Sequence, residues 1–191
     1  MAYDSAATRA RLLTAAHAEF VEHGLAGARV DRIAKNASAN KQAIYAYFGS
    51  KESLFDAVLG DRLGVLSDAV PFTAEDLASY AGALFDELTA DPALQRLTQW
   101  KVLERPEASQ QELDAHLAKA QALAEEFECD IEAAMDVLLI VLAAAQAWNL
   151  TPPGIRTPIG RDDKARRARH RMAVVAAARA TANALLLPED R

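Results

Sequence analysis

The chain has 191 residues, enough for one or two compact domains with a real core, and its single cysteine, Cys129, excludes an internal disulfide framework. About half of it is apolar, rich in Ala and poor in aromatics, Gly and Pro, so strand signals are nearly absent and the expected class is all-α. The formal net charge of −6 is, taken whole, the wrong sign for a nucleic-acid partner.

Ser5 precedes a first helical pattern that turns Leu12, Leu13, Ala16 and Phe20 inward and ends at Gly24. Val30, Ile33, Ala34 and Ala37 recur at i, i+3, i+4 and i+7, one face of a second, short helix. The polar turn Ser38-Ala39-Asn40 comes next. Asn40 is a good N-cap for a third helix, because its side-chain oxygen accepts from the free N–H groups of the first turn. There Ile44, Tyr47 and Phe48 share one side, while Lys41 and Tyr45 share the opposite side with Gln42 next to them. Gly49 ends this helix without the left-handed penalty other residues carry. Ser50 caps a fourth helix, from Lys51 to about Ser67, with Leu54, Phe55, Val58 and Leu59 inward. Gly60 and Gly64 in its second half each cost about 1 kcal/mol against Ala; they signal either close packing or a bend.

After Pro71, Thr73 and Asp76 have capping-box spacing for a helix through Leu84, Phe85 and Leu88. Asp91-Pro92 places a cap before a proline at the first helical position, opening a helix through Trp100 and Leu103. Ser109 and Glu112 repeat the capping box before a helix to about Phe127, and Asp130 caps another through Asn149. Thr151 to Pro158 reads as a loop. A last long helix runs from about Asp162 to Leu187, stopped by Pro188, which makes nine helices.

A protein that reads DNA in the major groove needs a small, well-anchored helix with donors on its outer face, which is what the third helix offers. The stretch Val30 to Lys51 also resembles the TetR family of bacterial transcription repressors. The resemblance is specific at Ile33-Ala34, at Lys41, and across Ile44-Tyr45-Ala46-Tyr47-Phe48-Gly49-Ser50-Lys51-Glu52-Ser53-Leu54. Upstream, Arg11-Leu12-Leu13, Ala15-Ala16, Phe20 and Gly24 match the family's first helix. It covers about the first third of the chain; beyond roughly Leu59 only the nine-helix plan is shared.

The resemblance implies a helix-turn-helix DNA-binding domain over residues 1–50 and a helical regulatory and dimerisation domain over 51–191. Lys41 and Gln42 would face bases or phosphates, with Asn40 and Ala43 in the same contact set. Tyr45 and Tyr47 would bond backbone phosphates, and Lys51, at the positive end of its helix, would clamp another. For Tyr47, a half-buried core role is an equal alternative. Three positions depart from the family pattern. Ala28 and Arg29 stand where Thr or Ser usually caps the second helix, a loss of about 1 kcal/mol, leaving Arg29 to reach a phosphate. Ser38 and Gln42 stand where Gly is common. Gln42 can bond adenine N6 and N7 in a bidentate way, which favours base readout.

Charge divides in the same sense. Residues 1–51 hold seven Lys/Arg against four Asp/Glu, while residues 52–191 hold fourteen against twenty-three. Positive charge gathers where DNA would lie, and the local sign governs affinity.

Two long helices are dimer candidates. Ile131 to Trp148 is apolar nearly all round from Val137 to Ala145, and Met172 to Leu187 is rich in Ala and Leu. Leu138, Leu142, Ala145, Val175, Ala178 and Leu185 are the expected interface residues, two helices from each subunit forming a four-helix contact. The alternative, that both helices lie inside one subunit's core, stays open. A reader of two half-sites needs a two-fold dimer. The run Arg161 to Arg171 reads as solvated first turns of a helix rather than a second nucleic-acid site.

In the family, effectors sit among the middle helices, which makes Phe72, Phe85, Gln99, Trp100, Leu103, Phe127, Met135 and Trp148 candidate pocket residues, with Tyr80 a further large side chain and His116 and Gln146 candidate polar contacts; plain core is the favoured reading of any single aromatic, and a surface place that of His116. No cofactor or metal is expected, and no Gly-rich phosphate loop, HExxH, CxxC or GxSxG suggests an enzyme. The N-terminus has no apolar secretory core, and the longest apolar run, Val137 to Ala145, is too short to span a bilayer, so a cytoplasmic protein is expected. The expected function is a ligand-responsive regulator, a repressor, binding a palindromic operator as a homodimer and released by a small-molecule effector. The alternative is a nonspecific DNA-binding or adaptor protein using the same helix pair.

Overall fold

The computed structural model describes residues 2–158 and 163–186, which form ten helices and, among the described residues, no strand. In chain order these are α1 Ala2–Gly27, α2 Val30–Asn36, α3 Lys41–Phe48, α4 Lys51–Ala69, α5 Leu77–Ala90, α6 Pro92–Glu104, α7 Gln110–Phe127, α8 Ile131–Leu150, α9 Pro153–Arg156 and α10 Asp163–Leu185. The chain divides into two compact units: Met1–Leu66 with Ala93–Glu107, and Ser67–Pro92 with Ala108–Arg191. The division expected at residue 50 therefore differs in two ways. Most of α4 belongs to the first unit, and so does nearly all of α6.

The first unit is built around Leu12, Ala16 and Phe20 of α1, Ile33 of α2, Ile44 of α3, Leu54 and Phe55 of α4 and Leu97 of α6, all fully buried. Phe20 meets Phe55 edge to face, with centroids 5.1 Å apart, a geometry the ring quadrupoles favour. Burying each of these large side chains contributes about 1.5–3 kcal/mol, far more than helix propensity adds to elements as short as α2 and α3.

Ser5 does not open α1, which already runs from Ala2; the regular helix does end at Gly24, as expected, and a further short helical turn follows across a kink there, to Gly27. The Gly24 φ of 67° and ψ of −175° are backbone angles essentially confined to glycine. Side chains of α6 hold the turn beyond the kink. Glu104 accepts the Leu25 N–H at 2.7 Å and the Ala26 N–H at 3.0 Å, recapping the last turn of α1. A Cβ on Gly24 would lie 2.7 Å from Glu104 Oε1 and 2.8 Å from the Trp100 ring.

In the second unit α5 packs on α8 and α10, and α7 packs on α8. Leu84 and Phe85 of α5, Leu123 of α7, Val137, Leu138 and Val141 of α8 and Val174 of α10 make its core. The local caps form as their residue types dictate. Ser109 and Glu112 complete a capping box, and Asp130 accepts from the Glu132 and Ala133 N–H groups. Asp76, not Thr73, caps α5, accepting from the Ser79 N–H at 2.9 Å. The expected loop after Thr151 contains the four-residue helix α9, with Pro153 at its start, which raises the count from nine to ten. The expected ends of the last helix at Asp162 and at Leu187-Pro188, and the residues Arg161 and Asp162 of the arginine-rich run, lie outside the described residues.

By length and composition α8 qualifies as a membrane-crossing helix, since the apolar stretch extends over twenty residues rather than the Val137–Ala145 run alone. Its place in this fold is against α5, α7 and α10. It is not buried on every side: Leu139 and Ile140 stay 49% and 45% exposed.

Gly24→Ala should destabilise the protein by roughly 2–4 kcal/mol, from backbone strain and overlap with Trp100 together. Chemical denaturation measures it; a loss below about 0.5 kcal/mol would mean the kink is not held by α6.

Candidate nucleic-acid interface

The turn between α2 and α3 places Ser38 at φ 50°, a left-handed conformation that glycine adopts at less cost, which is why glycine would suit this position. The turn holds because Ser38 N–H reaches Lys35 O at 3.1 Å and Ala39 N–H reaches Ala34 O at 2.9 Å. From α1, Arg11 Nε donates to Ala37 O at 3.2 Å, fixing the end of α2. Asn40 caps α3 by accepting the Gln42 N–H at 2.9 Å. Gly49, at φ 80°, ends α3 with its N–H on Tyr45 O, and Ser50 Oγ accepts the Ser53 N–H at 2.9 Å to start α4.

The missing cap of α2 is replaced across the unit. Arg29 has no side-chain cap on α2, and its backbone N–H donates at 2.8 Å to Glu19 of α1. The Glu19 carboxylate is buried and also receives Arg32 Nε at 2.8 Å. Burial pushes this carboxyl up, but the bonds from Arg32 and Arg29 and the charges of Arg32 and His23 outweigh it and hold the group below its usual 4.5. A charge buried this way is stable only while both partners stay in place.

The outer face of α3 is open. Lys41, Gln42 and Tyr45 are exposed, while Ile44 on the opposite side is completely buried. A cleft of about 420 Å³ lies beside it, lined by Arg29, Val30, Asp31, Lys41, Tyr45, Ser50 and Lys51 among others. The starts of α2 and α4 both border this cleft, and helix N-termini favour anions such as phosphate. Lys51 is half-buried and donates to Ala28 O at 3.3 Å, so its amine anchors α4 to the segment before α2 while it lines the cleft. Tyr47 is at the margin of exposure and its hydroxyl donates to Ser5 Oγ at 3.0 Å. Ala43 is half-buried, and the Asn40 side chain is engaged as a cap.

Two groups lining the cleft have the opposite sign, Asp31 and Glu52, and Asp31 is the one that meets a cleft cation. Asp31 of α2 sits 2.9 Å from Lys41 Nζ, and its hydrogen bond and charge hold that amine above its ordinary 10.5. The two residues are ten positions apart with no motif linking them, so no sequence pattern marks Asp31. Any anion that takes up Lys41 would have to displace Asp31.

The expected pocket residues are divided between the two units. Phe85 and Trp148 meet in the second unit, 6.4 Å between centroids, with His170 against both rings. Phe72 meets Tyr80. Phe127 and Met135 are half-buried in the same unit. Gln99, Trp100 and Leu103 belong to the first unit. There Trp100 donates to Val21 O, and Leu103 is 75% exposed. Of the expected dimer residues, Leu138, Ala145 and Ala178 are covered by the chain's own helices, which corrects their assignment to a surface: a side chain already buried has no area left for a second copy. Leu142 and Val175 are half-buried and Leu185 is exposed. The exposed large apolar side chains on these helices, among the described residues, are Ile131, Leu139, Ile140 and Leu150 of α8 and Met172 and Leu185 of α10. A helix apolar nearly all round gave no phase from which to choose them.

Asp31→Asn should tighten binding to any duplex about two- to five-fold and steepen its salt dependence by up to about one unit of slope, since one repelling charge leaves the cleft and Lys41 is released. Fluorescence anisotropy across a salt series reads this; weaker binding would instead make Asp31 the residue that aims Lys41.

Comparison with known proteins agrees with this geometry. Residues 12–58 match the family described as bacterial regulatory proteins, tetR family, and residues 76–180 match the tetracyclin repressor-like C-terminal domain. The chain is 38% identical over 163 residues to the HTH-type transcriptional repressor SCO4008 of Streptomyces coelicolor, covering 81% of this chain and 84% of that one. It is 39% identical over 77 residues to the HTH-type transcriptional repressor NicS of Pseudomonas putida, covering 40% of this chain and 36% of that one. The solved structure of SCO4942 from Streptomyces coelicolor superposes with a TM-score of 0.75 at 34% identity, covering 89% and 97% of the two chains. An exposed reading helix on a buried Ile33–Ile44 seat, in a chain that matches both halves of the pattern, has one conclusion: this is a DNA-binding regulator of the TetR family.

Proposed function

We propose that the chain is a ligand-responsive repressor that binds a palindromic operator as a homodimer in the cytoplasm and is released by a small-molecule effector. The observation that carries the reading is the open front of α3, where Lys41, Gln42 and Tyr45 stand exposed beside a cleft bordered by two helix N-termini. Gln42 reads a base, and Arg29, Tyr45 and Lys51 hold phosphates. Two relatives carry the description of HTH-type transcriptional repressor, which supports repression. Leu139, Ile140, Met172 and Leu185 supply apolar surface for a second copy, and a two-fold pair presents two reading helices to two half-sites about one helical turn apart.

The effector acts on the second unit, and α4 carries the chain from one unit to the other. A Cβ on Gly60 or Gly64 would meet nothing within 4 Å, so close packing is not the reason for either glycine. Their remaining effect is to weaken α4 by about 1 kcal/mol each against alanine. The ligand shifts the equilibrium between two settings of the reading helices only by its preference for one of them.

Selection from a random DNA pool should enrich one two-fold-symmetric sequence, and Gln42→Ala should relax one position in each half-site. Enrichment of no sequence would favour the nonspecific reading. Gly60→Ala with Gly64→Ala should stabilise the protein by up to about 2 kcal/mol and raise the effector concentration needed for DNA release. Unchanged release would remove α4 bending from the mechanism.

A further inference from the structure

We propose that Lys119, with Tyr80 and Phe72, forms a subsite for the carboxylate of a small organic acid with an apolar body, which makes the effector an anion. This rests on the reading of the second unit as the effector-binding part.

Three observations lead there. Lys119, in α7, is half-buried, and its one hydrogen bond among the described residues is a 3.5 Å reach to the hydroxyl of Tyr80, which is itself buried. Its ammonium lies 5.9 Å from the Tyr80 ring centre and 6.0 Å from that of Phe72, the outer limit at which a ring face compensates a cation. No carboxylate of the described residues pairs with it. The positions one turn away on α7 are Ala115, His116, Ala122 and Leu123, none of them acidic. Burial accordingly lowers the amine from its usual 10.5 with no opposing charge to restore it. A half-buried ammonium with no counter-charge is incompletely solvated and incompletely compensated.

The surroundings define what would neutralise it. A carboxylate supplies the missing charge and accepts a short, charge-assisted bond from the ammonium. Tyr80 adds a second donor, because burial raises its phenol and keeps it protonated. The Phe72 and Tyr80 rings touch edge to face, with centroids 5.0 Å apart, and together make one aromatic surface beside the amine for the body of the acid to lie against. A cation would be repelled by Lys119, and a neutral molecule would leave its charge unanswered.

The test uses thermal unfolding of the full chain with benzoate, phenylacetate and octanoate, against benzamide as the neutral probe and benzyltrimethylammonium as the cationic one. At least one carboxylate should raise the midpoint by about 3 °C or more at saturation, while the neutral and cationic probes do not. Lys119→Met should abolish that shift, and Lys119→Arg should retain most of it. Lys119→Met should also raise the midpoint of the ligand-free protein, because it removes a poorly compensated charge. A lower ligand-free midpoint for Lys119→Met, or no shift with any of the three carboxylates, overturns the proposal. Stabilisation and DNA release by benzamide or benzyltrimethylammonium alone would overturn the anion assignment and keep the effector reading. A Lys119-dependent carboxylate shift that leaves DNA affinity unchanged would keep the subsite and remove its regulatory role.

Discussion

An eight-residue helix does not persist in water, because so few hydrogen bonds cannot repay the cost of nucleation. The reading helix α3 is such a helix, and α2 is shorter still. Both are held by packing on α1 and α4, and one attachment from α1 is the buried carboxylate of Glu19. It accepts the Arg29 N–H at the start of α2 and the Arg32 side chain one turn on, so one residue caps a helix and sets its position. Arg11 secures the other end of α2 through Ala37 O, and Ile33 and Ile44 close the space between the two helices. With the underside of α3 fixed in this way, its outer face can remain exposed without being mobile, the condition for placing a side chain against a base edge.

The same economy explains the charges. Acidic residues predominate beyond residue 51, while the cleft beside α3 combines Arg29, Lys41 and Lys51 with two helix starts. Asp31 tempers that cleft. By pairing with Lys41 it reduces the pull of the cleft on any anion; on the proposed reading, what remains depends more on Gln42 and on the fit of α3 to the groove. Specificity is a difference between affinities, and lowering the unselective part raises it.

Much of this was legible locally. Asn40, Gly49, Ser50, Ser109 with Glu112, and Asp130 all act within a few residues of where they stand, so their roles follow from residue type and spacing. What escaped is long-range. Glu19 replacing the cap of α2, Glu104 recapping α1 beyond Gly24, and Asp31 meeting Lys41 each join residues with no spacing rule between them. The buried face of α8 escaped for a different reason. With apolar side chains nearly all round, periodicity carries no phase, and only packing decides that Leu138 turns inward while Leu139 and Ile140 do not.

Amide hydrogen exchange of the full chain, with and without duplex DNA, tests most directly whether α3 is the element that enters the groove. Slowed exchange at residues 40–48 and at the start of α4 is the predicted result. Protection confined to the arginine-rich turns of α10, with α3 exchanging as in the DNA-free protein, would contradict it.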